Sequence, residues 1–235
     1  MNTYHYIAIA LFAVFAFADY VGRRTQFPDV RYRRVMGVVS TILYFTIATL
    51  APFVWDEFLG AHQLVDGSAL PFWAQIVGGF LILEFGIYFW HRAMHGWDPL
   101  WRATHQMHHS GERVDIWSAY YFHPLDMLGW SLLGSLCLVW IFGLSPEAAL
   151  ITTIPGIFQH INVRTPHLLG YFVQRPESHL IHHQRGLHAY NYGDIPLPDM
   201  IFGTFKNPRE WEGENGFHPG STLQIPEMLA FRKIS

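Results

Sequence analysis

Charge is scarce in this chain. Asp, Glu, Lys and Arg make up 14% of its 235 residues, well below the quarter, roughly, of soluble domains. An ordinary water-soluble fold is therefore a poor expectation. Basic residues are not in excess either: the net charge is -3 with histidine neutral, so nothing points to nucleic acid. The one cysteine, Cys137, lies in an apolar run and has no partner for an internal disulfide. The sequence has no Cys-rich iron–sulfur segment and no haem-binding or flavin-binding segment. It has no low-complexity tract, and no repeat beyond an echo of His-x-x-His-His.

Apolar residues and histidine take their place. The chain is 51% hydrophobic and 17% aromatic. Thr3–Val21 is apolar apart from a few polar side chains and Asp19. A bilayer core needs about 20 helical residues, so this run is a candidate span. Ala16-Phe17-Ala18 has the pattern of a signal-peptidase site. The usual basic segment is missing before the run, and Arg23, Arg24, Arg31, Arg33 and Arg34 follow it. We expect an uncleaved anchor. Val35–Trp55 is an uncharged second span, and Ala69–Trp90 a third with Glu84 inside it. Met127–Phe142 and Glu147–Phe158 are shorter arms around Gly143-Leu144-Ser145-Pro146, where Ser suits a cap and Pro a first turn. They predict a hairpin, either crossing or re-entrant. From Arg164 onward no run is long enough to span.

The Arg-rich loop after the first run should be cytoplasmic, and the acidic loop Asp56–Ser68 should not. That places His91 and His95 at the cytoplasmic end of the third span. The expected fold is an all-α integral membrane protein, a single domain over 1–235. About four transmembrane helices or hairpin arms lie in 1–90 and 127–160. A cytoplasmic-face, histidine-rich, metal-binding cap comes from 91–126 and 161–235. The membrane is a bacterial inner membrane or an endoplasmic reticulum.

Twelve of the fifteen histidines fall between His91 and His188. His91 and His95 stand four apart. His105, His108 and His109 follow as i, i+3, i+4, and His179, His182 and His183 repeat that spacing. On a helix such residues share a face, so each cluster can aim its imidazoles at one point. Neutral imidazole ligates iron, zinc, copper and nickel. Eight rings are too many for one open catalytic site and suit two metals. A lone histidine is ordinarily a surface or hydrogen-bonded residue, which is the reading of His5, His62, His167 and His218.

The three boxes, in this order, resemble the fatty acid hydroxylase/sterol desaturase superfamily. The flanks agree: Phe122-His123-Pro124, Gln159-His160-Ile161-Asn162, Asn191-Tyr192-Gly193 and Asp199-x-x-Phe202-Gly203-Thr204-Phe205. The resemblance covers roughly Leu83–Pro208. It implies two iron ions, for which zinc may substitute in preparations, that activate O2 to attack a lipid C–H bond. It implies the ligand set His91, His95, His105, His108, His109, His123, His160, His179, His182 and His183. A separate electron donor, cytochrome b5-like or ferredoxin-like, is also implied. The hydroxylases of sphingolipid fatty-acyl type carry a second histidine four residues after the position of His160, where this chain has Arg164. His123, in a His-Pro-x-Asp segment, or His188 is expected to complete the set instead.

Glu84, Asp115, Asp126, Asp194 and Asp199 are candidates to steady the ligands. Trp90, Trp97, Trp101 and Trp117 suit an interfacial belt. Arg102 and Arg113 read as a solvated face, or as partners of lipid headgroups or a redox protein. Two other readings compete: a metal transporter, and a structural-zinc scaffold that binds lipid. Transport sites lie near the bilayer midplane, whereas these histidines sit at span ends and beyond.

Overall fold

The computed structural model describes residues 3–22, 25–144 and 155–235. Helices dominate: no strand occurs among the described residues, only one isolated bridge between Gln184 and Asn215. α1 runs Thr3–Gly22. α2, Arg33–Leu50, continues through a tight turn at Ala51–Val54, and the short α3 follows at Asp56–Ala61. α4 is the longest element, Phe72–Gly96. The short α5, Asp98–Ala103, and α6, Gln106–His109, come next. α7, Pro124–Ser135, runs on as a π-helical turn over Leu136–Ile141. α8 is one turn at Pro155–Phe158, α9 spans Pro176–His182, α10 Pro196–Phe202 and α11 Ile225–Leu229.

Among the described residues three helical stretches are long and apolar enough to cross a bilayer: Arg33–Val54, Phe72–Gly96 and Pro124–Ile141. Their outward faces are apolar. On α2, Val35, Val39 and Ile42 are exposed, and Phe72, Trp73 and Val77 are on α4. A contiguous apolar exterior of this kind marks contact with lipid or protein; with these spans it marks an integral membrane protein. The expected span Ala69–Trp90 is instead a helix that ends at Gly96, so His91 and His95 stand inside its last turns. Of the expected arm Glu147–Phe158, residues 147–154 lie outside the described residues.

Proline sets many of the helix starts. Pro99, Pro124, Pro176 and Pro196 stand in the first turn of α5, α7, α9 and α10, where a missing N–H costs nothing. α4 and the π-helical turn after α7 pack closely because Gly86 has no side chain: a Cβ there would come within 2.5 Å of Cys137 Sγ. α10 ends on Gly203 at φ 76°, a left-handed cap that glycine adopts without strain. It docks on α4 through Phe202, whose ring stacks on Tyr88 at 5.1 Å between centroids. Asp19 near the end of α1 accepts from the backbone N–H of Ile116 and Asn162. The C-terminal segment closes over α6: Gln106 donates to Arg232 O and accepts from the Ile234 N–H.

Candidate metal centre

The last turns of α4, the α5–α6 corner, the turn after α8 and the whole of α9 converge on one buried volume. Nine histidines meet there in two groups. His91, His95, His105, His109 and His182 form one; His108, His160, His179 and His183 form the other. Within each group the nearest ligand-capable atoms all lie within 4.8 Å of one another. The groups adjoin, with the His109 and His183 rings stacked at 4.1 Å.

Each histidine triplet is divided between the two groups rather than aimed at one point. On a helix i+4 lies about 40° from i, while i+3 lies about 60° to the other side. His105 and His109 therefore stay together while His108 crosses. In the same way His179 and His183 stay together while His182 crosses the opposite way. His91 and His95, also four apart, share the first group.

Hydrogen bonds at the other ring nitrogen fix the tautomers. His91 Nδ1 donates to Tyr192 O at 2.8 Å, His182 Nδ1 to Tyr190 O at 2.7 Å and His160 Nδ1 to Gly156 O at 3.0 Å. A carbonyl can only accept, so each of these rings carries its proton on Nδ1 and a lone pair on Nε2. His105 Nδ1 stands 2.8 Å from Asp126 Oδ2, and an ionised carboxylate there accepts its proton in the same way. The His95 ring is set against the main chain of His188.

Ring nitrogens face each other in both groups. His91 Nε2 and His105 Nε2 are 2.9 Å apart, and with Asp126 ionised both Nδ1 protons are spent elsewhere. In the second group, Nε2 of His179 is 3.0 Å from that of His160 and 3.0 Å from that of His183, and His160 Nε2 is 3.1 Å from His108 Nε2. Two ligands at right angles on metal bonds of about 2.1 Å would be separated by about 3.0 Å. His95 Nε2, His109 Nε2 and His182 Nε2 are buried with no hydrogen-bond partner. The residues present fit metal ions, since a cation between such lone pairs turns a repulsion into bonds. Burial also keeps the rings neutral, the ligating form. It is the first cause of the depressed pKa of His105, about 3, and of His160, about 4, and it holds His108, His109, His179, His182 and His183 well below the usual imidazole range.

The carbonyls of Tyr190 and Tyr192 belong to an irregular stretch after α9. His188, Tyr190 and Asn191 there have φ of 43°, 70° and 51°, a region that costs most residues energy. Buried side chains hold it. Asn191 Nδ2 donates to Ser178 O and Lys206 O, and its Oδ1 accepts from the Lys206 N–H. Asp199 accepts from the N–H of Tyr192 and Gly193 and from the Thr204 hydroxyl.

Beside the histidines lies a cavity of about 150 Å³. Its walls include Leu83, Ile87, Phe122, Trp130 and Leu133, and five histidines of the two groups open onto it. Tyr44, Asp194 and Gln159 line it too. Burial raises the Asp194 carboxyl, and the hydrogen bond from Gln159 opposes that rise.

The other expected site residues fall outside the two groups. His123 sits at the N-terminus of α7, where its Nδ1 accepts from the Leu125 N–H. Its ring also lies against the main chain of Leu229. His188 is closer, with Nδ1 3.1 Å from His109 Nδ1. Of the acidic candidates, only Asp126 touches a grouped histidine through its side chain. Asp115 pairs with Arg33 and Arg113, and Glu84 accepts from the Ile195 N–H. Arg102 pairs with Asp98. The tautomer-fixing carbonyls and the cavity tyrosine Tyr44 are absent from the sequence expectation; Asn191-Tyr192-Gly193 figures there only as a flank.

The model of the family described as fatty acid hydroxylase matches residues 76–204, which contain all nine grouped histidines. An ornithine lipid hydroxylase of Rhizobium tropici is 31% identical over 183 residues, 74% of this chain and 54% of that protein, so the chain spans about half the length of that relative. Sphinganine C4-monooxygenase 1 of Arabidopsis thaliana is 26% identical over 79% of this chain and 72% of its own. Human lathosterol oxidase is 26% identical over 98% of this chain and 78% of its own. No solved structure matches.

Proposed function

The chain belongs to the fatty acid hydroxylase family, and on that premise we propose that it is a membrane-bound, O2-dependent, non-haem di-iron oxidoreductase. It hydroxylates or desaturates a C–H bond of a lipid of sterol or fatty-acyl type. The observation that carries this reading is the pair of Nε2 lone pairs on His91 and His105, 2.9 Å apart with both Nδ1 protons committed elsewhere. A cation between those nitrogens makes the arrangement favourable, which supports the metal reading.

One ion belongs to His91, His95, His105, His109 and His182; the other belongs to His108, His160, His179 and His183. His123 stays outside the set as a helix cap. Iron bound there supplies the reduction of O2 and the removal of hydrogen from an unactivated carbon. The residues of the chain do the rest. The carbonyls of Tyr190, Tyr192 and Gly156 and the Asp126 carboxylate hold each ring in the ligating tautomer. Leu83, Ile87, Phe122 and Trp130 receive an apolar chain and exclude water beside the histidines. Holding one carbon close to the ions replaces a chance encounter and selects the product. The two electrons per turnover come from a separate donor, cytochrome b5-like or ferredoxin-like. The single domain faces its histidines to the cytoplasm, by the arginine asymmetry of its loops.

Metal content of detergent-purified protein tests this. About two ions per chain are expected, one for each group, with a sharp loss in His108→Ala and lipid oxidation that depends on iron and a reductant. Oxidation separates the proposal from a structural-zinc scaffold, because imidazole sites accept several metals. No bound metal after reconstitution with ferrous iron overturns it.

A further inference from the structure

The cavity beside the histidines is not uniformly apolar, and its polar end is unnecessary for holding a plain hydrocarbon. We propose that the lipid substrate carries a hydrogen-bond donor, a hydroxyl or an ammonium, a few bonds from the carbon that reacts, and that Asp194 and Gln159 hold it. This rests on reading the cavity as the seat of lipid oxidation.

Gln159 is 6% exposed, and its Nε2 donates to Asp194 Oδ1 at 2.7 Å. Its Oε1 is left buried with no hydrogen-bond partner. A buried acceptor without a donor costs free energy, so this atom asks for a donor from a ligand. Asp194 Oδ2 is a second acceptor in the same wall. A Cβ on residue 156 would come within 2.9 Å of it, and Gly156 leaves that space open. The main chain beside Asp194 is held by α4, where Glu84 accepts from the N–H of the next residue, Ile195, at 3.1 Å. Two acceptors converge, no Lys or Arg lines the cavity among the described residues, and the lining also includes Leu83, Ile87 and Trp130. This shape suits an amphiphile with its tail in the membrane-spanning helices and one donor group beside Asp194. His160 follows Gln159 directly in the chain and lines the same cavity, which sets the short distance between the gripped group and the reacting carbon.

The test uses the full-length, iron-reconstituted protein in detergent and three radiolabelled probes of equal chain length: hexadecane, 1-hexadecanol and hexadecylamine. At least one polar probe is expected to bind about tenfold or more tighter than hexadecane, the effect of one hydrogen bond to a charged group. Asp194→Leu should erase the preference. Gly156→Ala, which covers Oδ2 without altering the polar groups, should weaken it too and guards against misfolding of the first variant. Asp194→Asn distinguishes the two donors: an alcohol keeps its acceptor, and an amine loses its counter-ion. Equal binding of all three probes, or a preference that survives both Asp194→Leu and Gly156→Ala, overturns the proposal. Iron content in the same samples reports separately on the oxygenase reading. Iron without a polar preference refutes the grip alone; a preference without iron refutes the oxygenase.

Discussion

Asn191 is the residue whose loss should be felt furthest from its own position. Its side chain is 1% exposed and makes three hydrogen bonds: to Ser178 O at 2.8 Å, to Lys206 O at 3.0 Å and from the Lys206 N–H at 2.8 Å. Each contributes about 1 kcal/mol net, and truncation leaves its partners buried and unpaired. Its φ of 51° adds a second cost. Asparagine tolerates the left-handed region, whereas alanine loses about 1–2 kcal/mol there. Asn191→Ala should therefore destabilise by about 4 kcal/mol, a fall in Tm of roughly 10 °C for a chain of this size. Asn191→Gly loses the same hydrogen bonds without the Cβ clash, and gives part of that back through a looser unfolded chain; it should be about 1 kcal/mol milder. Thermal unfolding in one detergent measures both. Metal content carries the functional half. The flanking carbonyls of Tyr190 and Tyr192 orient His182 and His91, so both variants should lose metal from the first group. A Tm within about 3 °C of the native protein, an alanine no worse than the glycine, or full metal retention in the glycine variant would each refute the reasoning.

Asp126→Ala removes the acceptor that fixes His105. Metal affinity should drop by about 10- to 100-fold against a competing chelator, while Asp126→Asn, which keeps an acceptor, should retain most of it. Acid should destabilise the metal-free protein by a predictable route. Burial pushes the rings of His105 and His160 down to about 3 and about 4, below the ordinary imidazole value of 6.5. Between those values the unfolded chain binds protons that the fold refuses. The contribution of these rings is thus complete above about pH 6.5 and is lost progressively as pH falls toward about 4. Calorimetry of stripped protein at about pH 7.5 and about pH 5 checks it, and a flat Tm across that window would refute it.

Three spans were legible because a bilayer demands long apolar runs and little else in the chain supplies them; the expected span Thr3–Val21 is not among the three found in the described residues, where Ala10–Gly22 is a shorter apolar helix. The end of α4 was not legible: His91 and His95 break the apolar pattern, yet the helix continues to Gly96 because both rings turn inward toward other imidazoles. Spacing within the histidine triplets was visible, and so was their helical conformation. Their division between two groups follows from the angle of about 100° between i+3 and i+4, which spacing contains but a shared-face reading passes over. His123 shows how one pattern serves two purposes. His-Pro before an apolar run fits a ligand box, and it equally fits an N-cap followed by a first-turn proline, which is the use it has here. The carbonyl acceptors were beyond reach. Every residue owns a carbonyl, and only the path of the folded loop decides which of them faces a ring.

That path has a consequence for how the centre assembles. The main chain of His188 faces His95, Tyr190 O accepts from His182, and Tyr192 O accepts from His91. Three histidines of one group, from two helices, thus meet a single stretch of five residues. A regular helix could not do this, because its interior carbonyls are taken by the N–H four residues on. Left-handed residues free the carbonyls and turn them outward, at a local cost of order 1 kcal/mol each. The offsetting bonds come from Asn191, which reaches back to Ser178 on α9, and from Asp199 on α10. α10 is in turn held to α4 by Phe202 and by the Tyr88–Thr204 hydrogen bond. The first group can therefore take shape only when α9 and α10 have docked on α4, so the same contacts that close the C-terminal half of the fold also set the tautomers of its ligands.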